Sequence, residues 1–142
     1  YGYEYLGSAD HEILTPVTER MFVCLTQAVK LHTGSLVVGP AESEKGRIVE
    51  ELSRCLGHAH YSFNCTSIMD HYQLQDIFRG MAATGCWVNF NNLNYCQPAV
   101  LSIFAQLMST VMAALQAGKK SVHLQSDDIQ LSPLGACFAL LD

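Results

Sequence analysis

The 142-residue chain predicts an α/β fold, a parallel sheet flanked by helices, on three observations. Short apolar runs of strand length alternate with longer segments whose apolar residues recur at helical spacing. That alternation implies parallel pairing through crossover helices. Hydrophobic residues make up 49% of the chain against 15% charged, which suits one folded body with a sizeable core. The third observation is a glycine-bounded octapeptide, Gly39 to Gly46, lying between one such strand and one such helix.

Residues 1–14 read as an extended lead-in, and 15–142 as the α/β core of a single domain. Thr15-Pro16 pairs a capping residue with a proline suited to the first helical position. Met21, Leu25, Ala28 and Val29 carry that helix to about His32, and Gly34 breaks it. Ser35 to Val38 is a short apolar strand. After the octapeptide, Ile48, Val49, Leu52 and Leu56 form one face of a second helix, stopped by Gly57. Tyr61 to Cys65 reads as a strand. Asp70 with Gln73 three residues on resembles a capping box, opening a helix through Leu74, Ile77, Phe78 and Met81 to Gly85. Cys86 to Phe90 is a further strand, holding one polar residue, Asn89, among apolar neighbours.

From Pro98 to Gly118 the chain carries no charge over a length that would span a bilayer. Its polar residues Ser102, Gln106, Ser109, Thr110 and Gln116 share one side at the helical period, with Val100, Ile103, Phe104, Leu107, Val111 and Leu115 opposite. An amphipathic helix with an uncharged polar face is expected, not a membrane span. Ser121 to Leu124 is a weak strand and Cys137 to Leu141 a stronger one. Ending inside a strand-like run, the sequence reads as a fragment of something larger.

A net charge of −5 leaves no basic footprint for nucleic acid or an anionic membrane. Six cysteines without a CxxC pair read as free, buried thiols of an intracellular protein. His58-Ala-His60 has the look of a metal pair, but no further ligand completes it, so no metal site is expected. Glu50-Glu51 reads as a solvated helix face.

The octapeptide Gly39-Pro40-Ala41-Glu42-Ser43-Glu44-Lys45-Gly46 occupies the strand–loop–helix setting of a phosphate-binding loop. Such a loop needs a glycine directly before its lysine and a hydroxyl directly after it. Here Gly39 and Lys45 stand in place, but Glu44 precedes the lysine and Gly46 follows it.

Taken together, several segments resemble the first AAA+ module of a dynein heavy chain. Tyr1 to Gly7 (YGYEYLG) is similar to the segment leading from the linker into that module. Ile13-Leu14-Thr15-Pro16-Val17-Thr18 is similar to the family's ITPLT, which lies along the adenine. The octapeptide aligns with GPAGTGKT. Phe63-Asn64-Cys65, Asp70, Gly80-Met81-Ala82 and Gly85-Cys86-Trp87 match FNC…D…GLA…GAW at the same spacing. Phe90-Asn91-Asn92-Leu93-Asn94 stands where the family has FDEFN, and Phe138 to Asp142 where it has the strand ending in the sensor-1 asparagine. The resemblance implies a P-loop NTPase fold, the AAA+ large subdomain, truncated at the sensor-1 strand. It also implies Ile13, Leu14, Pro16 and Val17 on the adenine side, neighbouring AAA+ modules and other dynein-complex subunits as partners, and a cytoplasmic or ciliary setting. Microtubule contact would come only through parts outside these residues.

The departures from the family pattern fall on the working positions. Glu42 and Glu44 replace two loop glycines, Gly46 the magnesium-binding threonine, Asn91 the Walker B aspartate and Asn92 the water-activating glutamate. Asp142 takes the sensor-1 position, and Tyr95 that of an arginine. Side chains at 42 and 44 crowd a cradle built from backbone N–H groups. Each carboxylate about 5 Å from a phosphate charge would cost about 3 kcal/mol at an effective dielectric near 20. Losing the hydroxyl at 46 and the carboxylate at 91 removes both protein contacts to Mg²⁺, and Asn92 cannot accept a proton from water. The expectation is a module with little or no ATP hydrolysis, a structural role, and no cofactor or metal. The alternative is an ATP-binding, slowly hydrolysing motor module using ATP or ADP with Mg²⁺. Lys45 would then grip a phosphate; otherwise it pairs with Glu42 or Glu44, the reading favoured here.

Overall fold

The computed structural model describes residues 5, 7–8, 13–40, 43–124 and 127–141. Helix α1, Pro16–Lys30, starts in the anticipated way. The Thr15 hydroxyl accepts the Thr18 N–H while the Thr18 hydroxyl accepts the Thr15 N–H, and Pro16 fills the first turn. Strand β1, Ser35–Val38, leads to helix α2, Lys45–Leu56, which closes at Gly57 with φ 69°, a left-handed conformation glycine adopts freely. Strand β2, His60–Asn64, is followed by helix α3, His71–Thr84, whose capping box joins Asp70 to Gln73. Strand β3, Trp87–Asn91, passes through a 3₁₀ turn at Leu93–Tyr95 into helix α4, Pro98–Gln116.

The remaining strands are β4, Ser121–Leu124, β5, Asp127–Gln130, and β6, Ala136–Leu141. Four strands form one parallel sheet in the order β1-β6-β3-β2. Its register sets Ser35, Phe138, Asn89 and Ser62 side by side across the sheet. Because side chains alternate faces along a strand, these four share one face, together with Val37, Leu140, Asn91 and Asn64 two residues on.

Each face has its own core. On the first, Leu25 of α1 and Val49 and Leu52 of α2 pack on Trp87, Ala136, Phe138 and Leu140. On the second, Leu74, Phe78 and Met81 of α3 and Phe104, Leu107 and Val111 of α4 cover Val88, Phe90, Cys137 and Ala139. Phe104 meets both Phe78 and Phe90 edge-on at 5.6 and 5.1 Å between ring centres. The α/β sandwich is as the alternating pattern required.

Helix α4 is long and apolar enough to cross a membrane by composition, but its apolar side is the buried one. Ser102, Gln106, Ser109, Thr110 and Gln116 are exposed, as their spacing predicts. Three other expectations need correction. The weak strand β4 does not join the parallel sheet: it pairs antiparallel with β5, a strand too polar to be read from sequence. Val122 and Leu124 turn inward to the α3–α4 core, and Arg79 of α3 reaches Asp127 at 2.8 Å. Glu51 is not solvated like Glu50 but buried, with Arg54 held at 2.9 Å. The cysteines are all free, yet only Cys65, Cys96 and Cys137 are buried; Cys24 and Cys55 are exposed.

Candidate functional site

Parallel strands deliver their C-terminal ends to one edge of the sheet, where loops can gather side chains over the crevice. Here Val38 leads into Gly39, Asn64 ends β2, Asn91 ends β3 and Leu140 lies near the end of β6. Together with Glu44, Lys45, Gly46, Arg47 and Asn92, three of these residues (Asn64, Asn91 and Leu140) line a cleft of about 320 Å³. The fold thus assembles the octapeptide and the Asn91-Asn92 pair, distant in sequence, at one place. Ala41, Glu42 and Asp142 lie outside the described residues.

The loop curls onto its own carbonyls. Pro40 O accepts the Ser43 N–H at 3.1 Å, the Ser43 hydroxyl at 2.7 Å and the Lys45 ammonium at 2.8 Å. Lys45 also donates to Gly39 O at 2.6 Å, and the residue is only 7% exposed. Of the two carboxylates expected beside it, Glu44 turns away and pairs with Arg47 at 3.0 Å, both side chains being more than half exposed. Glu44 also holds φ 52° as the residue before α2, a left-handed backbone that disfavours a β-carbon. Where an intact phosphate loop has glycine, a residue that adopts this backbone freely, this chain holds it with a glutamate. Asn92 shares the left-handed region at φ 56°, which asparagine tolerates.

At the strand ends the polar side chains bond to one another. Asn91 Oδ1 accepts from Asn89 Nδ2 at 2.9 Å, while Asn91 Nδ2 donates to Ser62 Oγ and Asn64 Oδ1, each at 2.9 Å. Asn89, which had no role in the sequence, is fully buried and holds Asn91 from below. This amide ladder was missed, although Ser62, Asn64, Asn89 and Asn91 show a readable signal. Each pair is spaced by two residues, and so shares a face of its strand. Gly46 packs directly against the ladder: a β-carbon there would lie 3.3 Å from Asn91 Oδ1 and 3.6 Å from Asn89 Nδ2.

The segment assigned to the adenine side divides. Ile13 and Leu14 line a pocket of about 260 Å³ with Thr18, Phe22, Ser43, Glu44, Ile48 and the buried Glu51. Pro16 and Val17 do not reach it; Val17 faces a separate groove between α1 and β1. His58 and His60 sit at the far end of the sheet. His58 stacks on Trp87 at 5.0 Å, and both histidines line a small polar pocket with Glu50, Ser53 and Arg54. No group of three or more histidine, cysteine or acidic side chains is placed to hold a metal among the described residues.

The sequence that builds this site matches a known set of proteins. The family model described as "Hydrolytic ATP binding site of dynein motor region" matches residues 1–142. Dynein axonemal heavy chain 17 of Mus musculus is 35% identical over 142 residues, all of this chain and 3% of that protein. The dynein beta chain of the flagellar outer arm of Chlamydomonas reinhardtii is also 35% identical over the whole chain, again 3% of its own length. The alpha chain of the same outer arm reaches 43% over 103 residues, covering 72% of this chain and 2% of that one. The chain therefore spans only a few hundredths of the length of these relatives, and across that span it belongs to the dynein heavy-chain family of AAA+ motor-region modules.

Proposed function

We propose that this chain is an AAA+ module with little or no ATP hydrolysis, serving as a structural and assembly element of a dynein-type complex. One observation carries the reading: at the ends of β2 and β3, where hydrolysis needs magnesium and a base, the described side chains are neutral, and Asn64, Asn89 and Asn91 bond to one another. Asn91 has spent both amide hydrogens and its oxygen on Ser62, Asn64 and Asn89. Gly46 has no oxygen to offer, and Asn92 has no carboxylate to draw a proton from water. The residues present are a poor fit to Mg²⁺, a hard cation that prefers a regular shell of oxygens.

The fold stands apart from these losses. Among the described residues, neither core includes a side chain of the loop, and the sheet order is formed by the strands alone. A module of this kind keeps the shape by which it packs against neighbouring AAA+ modules and other subunits. The exposed side of α4, with no ionised group to desolvate, supports such packing. The named axonemal and flagellar relatives support a cytoplasmic or ciliary setting.

A second reading is favoured by Lys45, which stays in the cleft at the head of α2, the end of a helix that attracts anions. Glu44, paired with Arg47, repels a phosphate less than an isolated carboxylate would. In that reading the module binds ATP or ADP and hydrolyses slowly. Calorimetric titration with ATP and ADP, with and without Mg²⁺, separates the two, alongside phosphate-release assays. The proposal expects no turnover above buffer. Turnover that disappears in Lys45→Ala would overturn it; nucleotide binding without turnover would leave a plugged, non-hydrolysing module.

A further inference from the structure

We infer that Gly46 and the asparagine ladder are one coupled unit, which fills the place of a magnesium ion and pins the ends of β2 and β3 together without metal. The inference rests on the non-hydrolysing reading above and concerns the same cleft.

Gly46 lies inside α2, where its backbone is helical and no left-handed turn calls for glycine. As the second residue of the helix it gains nothing over alanine from helix propensity, so the reason for glycine lies in its surroundings. The account is space. A β-carbon at 46 would meet Asn91 Oδ1 at 3.3 Å, Asn89 Nδ2 at 3.6 Å and Leu140 Cδ1 at 3.7 Å. The first contact is tight, and the atom it meets is not free to yield. Asn91 is held by Asn89, Ser62 and Asn64, and Asn89 is itself fully buried in the sheet.

The ladder also acts across the strands. It ties Ser62 and Asn64 of β2 to Asn91 of β3 over the last paired residues of those strands, Asn64 and Asn91 being the final register pair. It leaves no charged oxygen directed at a metal. An aspartate at 91 would still accept from Asn89 Nδ2 but could no longer donate to Asn64 Oδ1 or Ser62 Oγ, so that change alone removes the donor that now ties β3 to β2. A threonine at 46 would push a branched side chain into Asn91. Positions 46 and 91 are thus mutually constrained, and reverting either alone is unfavourable.

The test is a double-mutant cycle on the thermal unfolding of the 142-residue chain, with Gly46→Ala made in the native and Asn91→Ala backgrounds. In the native background Gly46→Ala lowers the Tm by several degrees. In the Asn91→Ala background, with the obstruction gone, it raises the Tm or leaves it unchanged, because only the helix preference for alanine remains. If Gly46→Ala abolishes folding in the native background, its rescue by Asn91→Ala supports the coupling. Equal shifts in both backgrounds, or loss of folding in both, overturn it. Millimolar MgCl₂ alone leaves the native Tm unchanged; a rise overturns the metal-free pin. MgATP turnover by the native chain would overturn the underlying reading. Additive shifts without turnover would overturn the ladder alone.

Discussion

Asn89 and Asn91 lie two residues apart on β3 and are joined side chain to side chain at 2.9 Å, the first fully buried, the second reaching into the cleft. A buried amide in an apolar strand is costly unless bonded, and Asn89 Oδ1 has no hydrogen-bond partner among the described residues. Its cost is offset by what Nδ2 holds. Asn89→Ala removes that hold, leaves Asn91 Oδ1 short of a donor and opens a small cavity. The expected loss is about 2 kcal/mol in chemical denaturation. An unchanged denaturation midpoint would mean that Ser62 and Asn64 hold Asn91 unaided.

Glu44 stores local strain. At φ 52° its β-carbon is crowded in a way glycine avoids, and its only described side-chain partner is Arg47, in an exposed ion pair of small worth. Glu44→Gly is therefore expected to raise stability by about 1 kcal/mol, despite losing the ion pair. A lowered melting temperature would show that the Glu44–Arg47 pair outweighs the backbone term.

Much of this architecture was legible because its punctuation is local. Thr15-Pro16, Asp70 with Gln73, Gly57 and Gly85 each specify a helix end through a cap or a left-handed turn, and each does so in the structure. β5 was not legible, since Asp127, Asp128 and Gln130 lack strand preference. That segment becomes a strand by pairing with β4 and bridging to Arg79, both of which depend on tertiary placement. The buried Glu51 was hidden for a similar reason, because Arg54 one turn on supplies its partner. In the site, spacing located the octapeptide and the Asn91-Asn92 pair but could not show where Lys45 would point. Its donation to Gly39 and Pro40 follows from the curl of the loop, a backbone property that side-chain identity does not reveal.

The cysteines divide by burial, and their reactivity should follow. Burial, with Cys96 alongside, pushes the Cys65 thiol up to about 12, and burial raises Cys137 further, with Cys65 adding to it. Cys55 is raised by burial and then by Glu51, whereas Cys24 is exposed on α1. Iodoacetamide on the folded chain is expected to label Cys24 first, Cys55 more slowly, and Cys65 and Cys137 only after unfolding. Peptide mass spectrometry over a labelling time course reads this directly. Early modification of Cys137 would mean that the α3–α4 face opens in the native state.

His60 should make the fold sensitive to mild acid. Burial holds its imidazole below the ordinary histidine value; Glu50 works against the shift and Arg54 adds to it. Its Nε2 is enclosed without a hydrogen-bond partner among the described residues, so a proton added there gains no acceptor from them. The unfolded chain protonates His60 near its ordinary value of 6.5, the folded chain only at lower pH. Between those two values the unfolded state binds more protons, so stability rises with pH across that window. The contribution is fully present above about pH 6.5 and is lost as the pH falls towards the folded value. Urea unfolding at about pH 7.5 and about pH 5.5, for the native chain and His60→Gln, isolates this term from the other titrating groups. The native chain should lose more stability on acidification than the variant. Equal losses would place the acid sensitivity elsewhere, with Glu50 or His58 beside the same pocket the next residues to substitute.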